Sequence, residues 1–549
     1  MPPGSTERDD RLARIILVVA MAVSAATILI AGRDLWFWSD ELDWLTSSDD
    51  FLPRHLLFPH GSHLIAIPRV IYEAFPRIFG VDYLPFRVFA VACLLACAAQ
   101  AFVLIRRRVG GPPAVAAATV LLFFGSAQEI VVSPLGIPFT LSIALGLAAL
   151  LAVERRRLGG DVGAMALLIL SILSHTFGVI FAIGLAVYYV TDRGRRRELW
   201  VALVPIALWV IWWIWARQFD QSITSSGNIL GAPFFVVEAV GAAIEGLSGL
   251  GPLLGGRIDA VFGVVAIALL GYRVLRGGVR PWLYAYVAAA FAFWFAVALA
   301  ESAERGPDTP RYLFFGAVIV LLIAAESLRG IRLSDRGAWI LAAVFAVAMA
   351  GNVGRLTDAI GGESDRAREV RAQIAVQDFE AAAIDPSFAV ADLGPPAGDQ
   401  LPSTAGELRE FAAEVGPLGF SADELRAQTD AIRRGADFVL IRALGIGAGE
   451  IPAGQALKTS GCAIRRPAAD GYTTFELTPG LNVVTLQRDS GAAGASLDLG
   501  RFADVPDVEI ATLRAGRRNV IVLPGDGLEE PWRARTTGTI EACRARAAR

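Results

Sequence analysis

Residues 162–190 read VGAMALLILSILSHTFGVIFAIGLAVYYV. The run is 29 residues long and is interrupted at Ser174, His175 and Thr176. A helix needs roughly 20 residues to cross the hydrocarbon of a bilayer, because each residue rises about 1.5 Å. The run is therefore too long for one comfortable span and short for two, and its flanks decide between them. Arg155–Arg157 precede it, and Arg193, Arg195, Arg196 and Arg197 follow. Basic loops stay in the cytoplasm, so the chain must leave and return. The reading is two short helices or a re-entrant hairpin, turning near His175.

The same logic orders the rest. Apolar segments recur at 15–31, 86–105, 114–131, 137–153, 199–216, 258–272, 282–300, 312–325 and 338–353. Arg8, Arg11 and Arg14 keep the N-terminus inside, and basic clusters at 106–108, 155–157, 193–197, 273–280 and 329–336 mark five further cytoplasmic segments. Eleven crossings satisfy this pattern and leave the C-terminal part outside. The first segment is a signal anchor, since it is longer than a cleaved h-region and no clean small-x-small site follows it. The composition agrees: 54% hydrophobic, 19% charged, net charge −3 and mean hydropathy +0.52. These values exclude an ordinary cytosolic enzyme, a disordered chain and a nucleic-acid binder. Of the 50 basic residues only Lys458 is a lysine, which reflects a GC-rich genome. Four cysteines exclude a disulfide scaffold and a Cys-rich metal site.

The outside loops carry the chemistry. The first contains WFWSDELDW at 36–44, where Trp36, Phe37, Trp38 and Trp44 suit the headgroup layer and surround Asp40, Glu41 and Asp43. Residues 64–79 read as an amphipathic helix on the membrane, with Arg69, Glu73 and Arg77 on one face. His55, His60 and His63 have spacings unsuited to a helical metal-ligand pair, so headgroup or phosphate contacts are the better reading. A second loop carries Glu129. A third contains 233–249, with Glu238 and Glu245 seven apart, and reads as a surface helix. The fourth ends in Arg311-Tyr312, at the start of the next span.

From residue 354 the chain reads as water-soluble. Residues 354–460 form a helical and mixed region with helix-like spacing at 365–382 and 421–435, and 461–549 form a β-sandwich or jelly roll. Strands are expected at 473–477, 482–487, 496–502, 508–513, 519–523 and 532–537. Cys462 and Cys543 bracket them, and outside the cell a disulfide between the two can close the region. The fold class is thus a multi-pass α-helical membrane protein (domain 1–353) with an extracytoplasmic α+β part ending in a sandwich, placed in the cell membrane.

Several motifs occur in an order that resembles the GT-C superfamily of membrane glycosyltransferases, the branch like protein O-mannosyltransferases and aminoarabinose transferases. An acidic pair, Asp40-Glu41, follows the first span. Then come His63, a surface helix ending in Phe79-Gly80, and Arg87 opening the second span, which closes on Arg106–Gly110. A late loop ends in Arg311-Tyr312. The Asp-x-Asp and His-Pro patterns of some relatives are absent, and Glu129 is a loose match to a second-loop acid.

The resemblance implies transfer of a sugar from a polyprenyl-phosphate donor to an extracytoplasmic glycan, lipid or protein, by a single inverting displacement. Asp40, with Glu41 second, is the expected base, and Arg311, Arg87 and Arg69 are the expected phosphate cations. Tyr312, His63 and Glu129 complete the expected binding residues. The sequence names no cofactor, and nothing in it supports a divalent metal. Two readings of other classes stand beside this one. A transporter or flippase would need ionisable groups deep inside spans, and 282–300 carries no charge. The other is a membrane anchor presenting a glycan-binding sandwich.

Overall fold

The computed structural model describes residues 3–47, 51–219, 223–251, 258–302, 305–330, 334–380, 382–393, 402–451, 457–487, 494–525, 528 and 530–547. Glu304 and Arg332, within two of the segments read above, lie outside these. The chain forms two compact units: Met1–Leu35 with Ser48–Ser364, and Trp36–Ser47 with Asp365–Arg549. The helix that starts at Asp335 runs unbroken to Phe379, through residue 353, where the sequence changes character.

The first unit is helical. Its elements are α1 (Pro3–Ala31), α3 (Pro53–Leu56), α4 (Ala66–Phe79), α5 (Leu84–Val109), α6 (Gly111–Leu122), α7 (Gln128–Val131), α8 (Ile137–Val153), α9 (Leu158–Ser174), α10 (Gly178–Thr191), α11 (Trp200–Ala216), α12 (Ala232–Ser248), α13 (Asp259–Leu275), α14 (Pro281–Leu299), α15 (Pro310–Ser327) and the first part of α16 (Asp335–Phe379); α2 (Asp40–Thr46) belongs to the second unit. Among the described residues, eight helices are long and apolar enough to cross a membrane, and α9 and α10 are shorter apolar helices. A helix satisfies every backbone donor and acceptor within itself, which hydrocarbon requires.

The 162–190 run is two helices, broken at His175, whose backbone is extended (φ −165°, ψ 148°). The His175 Nδ1 accepts the Phe177 N–H at 3.1 Å and fixes the turn. Gly178 follows where a Cβ would stand 2.4 Å from the Ile172 nitrogen, so α10 can start against α9.

Charge is gathered where helices end. Arg108, 5% exposed, donates to Glu326 at 2.6 Å, Glu154 at 2.9 Å, the Tyr286 hydroxyl at 2.7 Å and the Leu104 carbonyl at 2.7 Å. Arg329 holds Glu326 through two bonds of 2.8 Å. Arg107 pairs with Glu154, Arg195 with Asp161, and Arg106 with Asp10. The basic clusters read from the sequence thus meet at one end of the bundle.

Two expectations change here. In α4, Arg69 and Glu73 are buried rather than laid on a surface; Arg69 turns inward to bind carbonyls, and Glu73 pairs with Arg77. The helix at 233–249 is packed against α13, α14 and α15, with Glu245 buried. Its small residues Gly241, Ala242 and Ala243 let the neighbouring backbones approach.

The second unit joins α2, the end of α16, α17 (Ala405–Glu414), α18 (Ala422–Arg426) and α19 (Asp430–Ala443) to nine strands. The single helix expected at 421–435 is two, because Ser421 caps α18 through a capping box and the chain restarts at Thr429. The strands are β1 (Ala448–Glu450), β2 (Leu457–Arg465), β3 (Tyr472–Leu477), β4 (Gly480–Leu486), β5 (Gly494–Gly500), β6 (Val508–Arg514), β7 (Arg518–Leu523), β8 (Trp532–Thr537) and β9 (Ile540–Ala547). They form sheets of order β1-β7-β4-β9-β2 and β3-β8-β5-β6. With β1 set aside, this is the strand order of a jelly roll, in which every connection but β5–β6 crosses between sheets. Val484, Leu486, Ile521, Leu497, Leu499, Leu513 and Trp532 are buried core residues of the two sheets.

At the edge, Gly461 (φ +62°) sits in a bulge of β2, and the next residue, Cys462, is bonded to Cys543 of β9. Helix α19 is pinned to the sandwich by Asp437, whose carboxylate accepts the N–H groups of Phe502 at 2.9 Å and Ala503 at 3.0 Å.

Two outcomes follow from these contacts. Removing one member of a buried ion cluster strands the others, so Arg108→Ala should destabilise the helical unit by about 3–5 kcal/mol. Adding Glu326→Gln should recover part of that loss in thermal denaturation of the purified protein. Burial pushes the Asp437 carboxyl up to about 6, whereas the unfolded chain loses that proton near pH 4. The native state then binds the extra proton between those values, so stability falls as pH rises from about 4 to about 6 and levels off above. Urea unfolding at a series of pH values should show that slope, and Asp437→Asn should flatten it.

Candidate functional site

The residues singled out by sequence fall on both units. In the second unit, Asp40 and Glu41 open α2 directly after Ser39, a non-glycine residue at φ +51°, ψ −134°. Such backbone is strained for a residue with a Cβ and persists only where its surroundings impose it. Asp40, Glu41 and Asp43 lie in the first turn, where the helix dipole favours negative charge. Glu41 is fully buried, while Asp40 is partly exposed.

The aromatic residues around them are not a headgroup belt. Phe37, Trp38 and Trp44 are buried. The Trp36 indole N–H donates to the Leu418 carbonyl at 3.0 Å. Arg371 lies 4.4 Å from both the Trp36 and Phe420 rings, and Arg366 lies 5.0 Å from Trp38. Thr46 bonds Ser403 at 3.0 Å. An indole N–H needs an acceptor and its face attracts a cation; the second unit supplies both.

In the first unit the expected residues divide into anchors and a pair. Arg87 is an anchor: its Nη2 donates to the carbonyls of Ile28 at 2.8 Å and Leu29 at 2.6 Å, capping the end of α1. Arg69 is another, donating to the carbonyls of His55 at 2.6 Å and Phe58 at 2.5 Å. It thereby fixes the loop that leads to the His60–His63 hairpin. In that hairpin Gly61 and Ser62 both have positive φ, and His60 and His63 exchange two backbone bonds of 3.0 and 2.8 Å. The turn lays the His63 ring 4.4 Å from His175, whose other ring neighbours are Phe177 at 4.3 Å and Phe139 at 4.5 Å. His63 is therefore a packing partner of the α9–α10 turn.

Glu129 and Arg311 are the pair. They come from α7 and the first turn of α15, 3.6 Å apart, and both side chains keep partial exposure, 19% and 30%. Tyr312 stands beside them, 5.9 Å from the Arg311 guanidinium and 6.4 Å from Phe293. A partly exposed guanidinium held by one carboxylate retains donors for an anionic ligand.

Sequence reasoning missed a second acidic site. Glu245 of α12 and Asp259 of α13 are 6% and 9% exposed, and their carboxyl groups are in hydrogen-bonding contact. The seven-residue spacing of Glu238 and Glu245 was visible, but the pairing partner lies on another helix.

The first unit also holds two apolar cavities. One, of about 510 Å³, is lined by Leu57, Leu64, Ile172, Trp209, Trp212 and Trp215. The other, of about 310 Å³, is lined by residues such as Ile105, Val120, Leu247, Leu321 and Val344. Each can take a hydrocarbon chain and neither offers catalytic groups.

The chain matches no protein-family model, no curated protein and no solved structure.

Proposed function

We propose that the protein is an integral membrane glycosyltransferase that moves a sugar from a polyprenyl-phosphate carrier to an extracytoplasmic acceptor. The observation that carries this reading is the Glu129–Arg311 pair. It is a partly exposed cation held at the start of a membrane helix, in a unit whose other basic clusters meet at one end. A departing lipid phosphate needs such a fixed forked donor. An acceptor hydroxyl needs a base, and Asp40, partly exposed on a strained turn, is assigned that role with Glu41 beside it. Glu129 orients Arg311, and Tyr312 lines the sugar site.

In this reading the chain crosses the membrane eleven times. The N-terminus and the Arg108 cluster face the cytoplasm, and the jelly roll lies outside. The donor's hydrocarbon tail lies along the apolar helices. One base and no covalent intermediate invert the anomeric centre.

A second reading is supported by the strand order of the sandwich, which is shared by many lectin domains. There the helices anchor a glycan-binding module without catalysis. Deleting residues 460–549 separates the two: retained transfer favours the enzyme.

The proposal is tested by glycan analysis of cell envelopes from cells in which the wild-type gene is replaced by single variants. Asp40→Asn and Arg311→Gln should each lower the product by about 100-fold or more at unchanged protein level. Product at wild-type level in both removes the proposed mechanism.

A further inference from the structure

We propose that Glu245 and Asp259 form a binding site for a hard divalent cation of the Mg²⁺ or Mn²⁺ class, independent of the transferase reading. The two residues are brought together by an unusually close helix crossing. A Cβ added to Gly241 of α12 would stand 1.7 Å from the Asp259 carbonyl oxygen, and one on Gly263 of α13 would stand 1.9 Å from the Val237 carbonyl. Glycine at both positions lets the backbones touch, and Asp259, the first residue of α13, is pressed against α12.

The side chains are then enclosed. Glu245 is 6% and Asp259 9% exposed, and their carboxyl groups are in hydrogen-bonding contact. The Asp259 Oδ1 is shut off from solvent and accepts no hydrogen bond among the described residues. Among the described residues, two further acids, Asp308 and Glu238, act on Asp259 from exposed positions.

Two buried carboxylates in contact cannot both stay ionised without compensation. A shared proton cancels one negative charge of the pair. A divalent cation cancels two and gives the buried Oδ1 a partner. Among the described residues the facing donors, Glu245 and Asp259, are oxygens, which selects a hard ion over zinc. Binding is an exchange: the ion enters between the carboxylates, and the proton they share leaves to solvent, so each ion bound releases up to one proton. Mg²⁺ is commonly held by one or two carboxylates, with water or phosphate oxygens completing its shell.

The test uses the full chain purified in detergent, stripped with EDTA and titrated with Mn²⁺ at neutral pH. Free Mn²⁺ is read by electron paramagnetic resonance, and proton release by a pH indicator. The expected result is one Mn²⁺ per chain, displaced by Mg²⁺, with protons released in step. Asp259→Asn and Glu245→Gln should each weaken binding at least tenfold. Wild-type chain that binds no Mn²⁺, or binds it without releasing protons, overturns the site. Folded variants of both kinds that bind as tightly as wild type overturn it too. Should neither variant fold, the wild-type stoichiometry, Mg²⁺ competition and proton release decide by themselves.

Discussion

A charge buried among apolar helices needs a partner, and the helical unit is arranged by that constraint. Arg108 is the clearest case. It sits at the end of an apolar helix, almost wholly buried, and is tolerated because Glu326, Glu154, Tyr286 and a backbone carbonyl surround its guanidinium. The side-chain partners come from α14, α15 and the residue that follows α8, so satisfying one cation ties these segments to the end of α5. Arg195 with Asp161 and Arg329 with Glu326 extend the same solution. The central lengths of the helices are left to small and apolar residues.

The polar groups that remain follow two designs. Arg87 and Arg69 each turn one guanidinium nitrogen to two backbone carbonyls, so they shape the chain. Arg311 is paired with the Glu129 carboxylate and stays partly exposed. Exposure and a side-chain partner set Arg311 apart from the two carbonyl-binding arginines. The acids divide in the same way. Glu41 and Asp437 are enclosed in the second unit, while Asp40 keeps access to solvent.

Much of this was legible in the sequence where the signal is local. The break at His175 follows from length and flanking charge. Six strands fell within two residues of their expected bounds, because turn residues and alternating side chains mark them. Strands β2 and β9 were not legible. Leu457–Arg465 is exposed at nearly every position and Ile540–Ala547 is an Ala and Arg sequence, so neither shows alternation. The aromatic segment 36–44 was misplaced for a different reason. Its residues suit a headgroup layer as well as a protein interior, and the acceptor for Trp36 lies 382 residues away. The Glu245–Asp259 pair was hidden likewise, since a contact between helices leaves no mark in either helix alone.

The central claim is that Arg311 receives the phosphate of a lipid carrier. The most direct measurement is a cryo-electron microscopy reconstruction of the full chain in nanodiscs containing a polyprenyl phosphate. The account predicts the phosphate within hydrogen-bonding distance of the Arg311 guanidinium, and no such density in Arg311→Gln. A phosphate seated instead among the arginines around Arg108, or at the same place in wild type and Arg311→Gln alike, would contradict it.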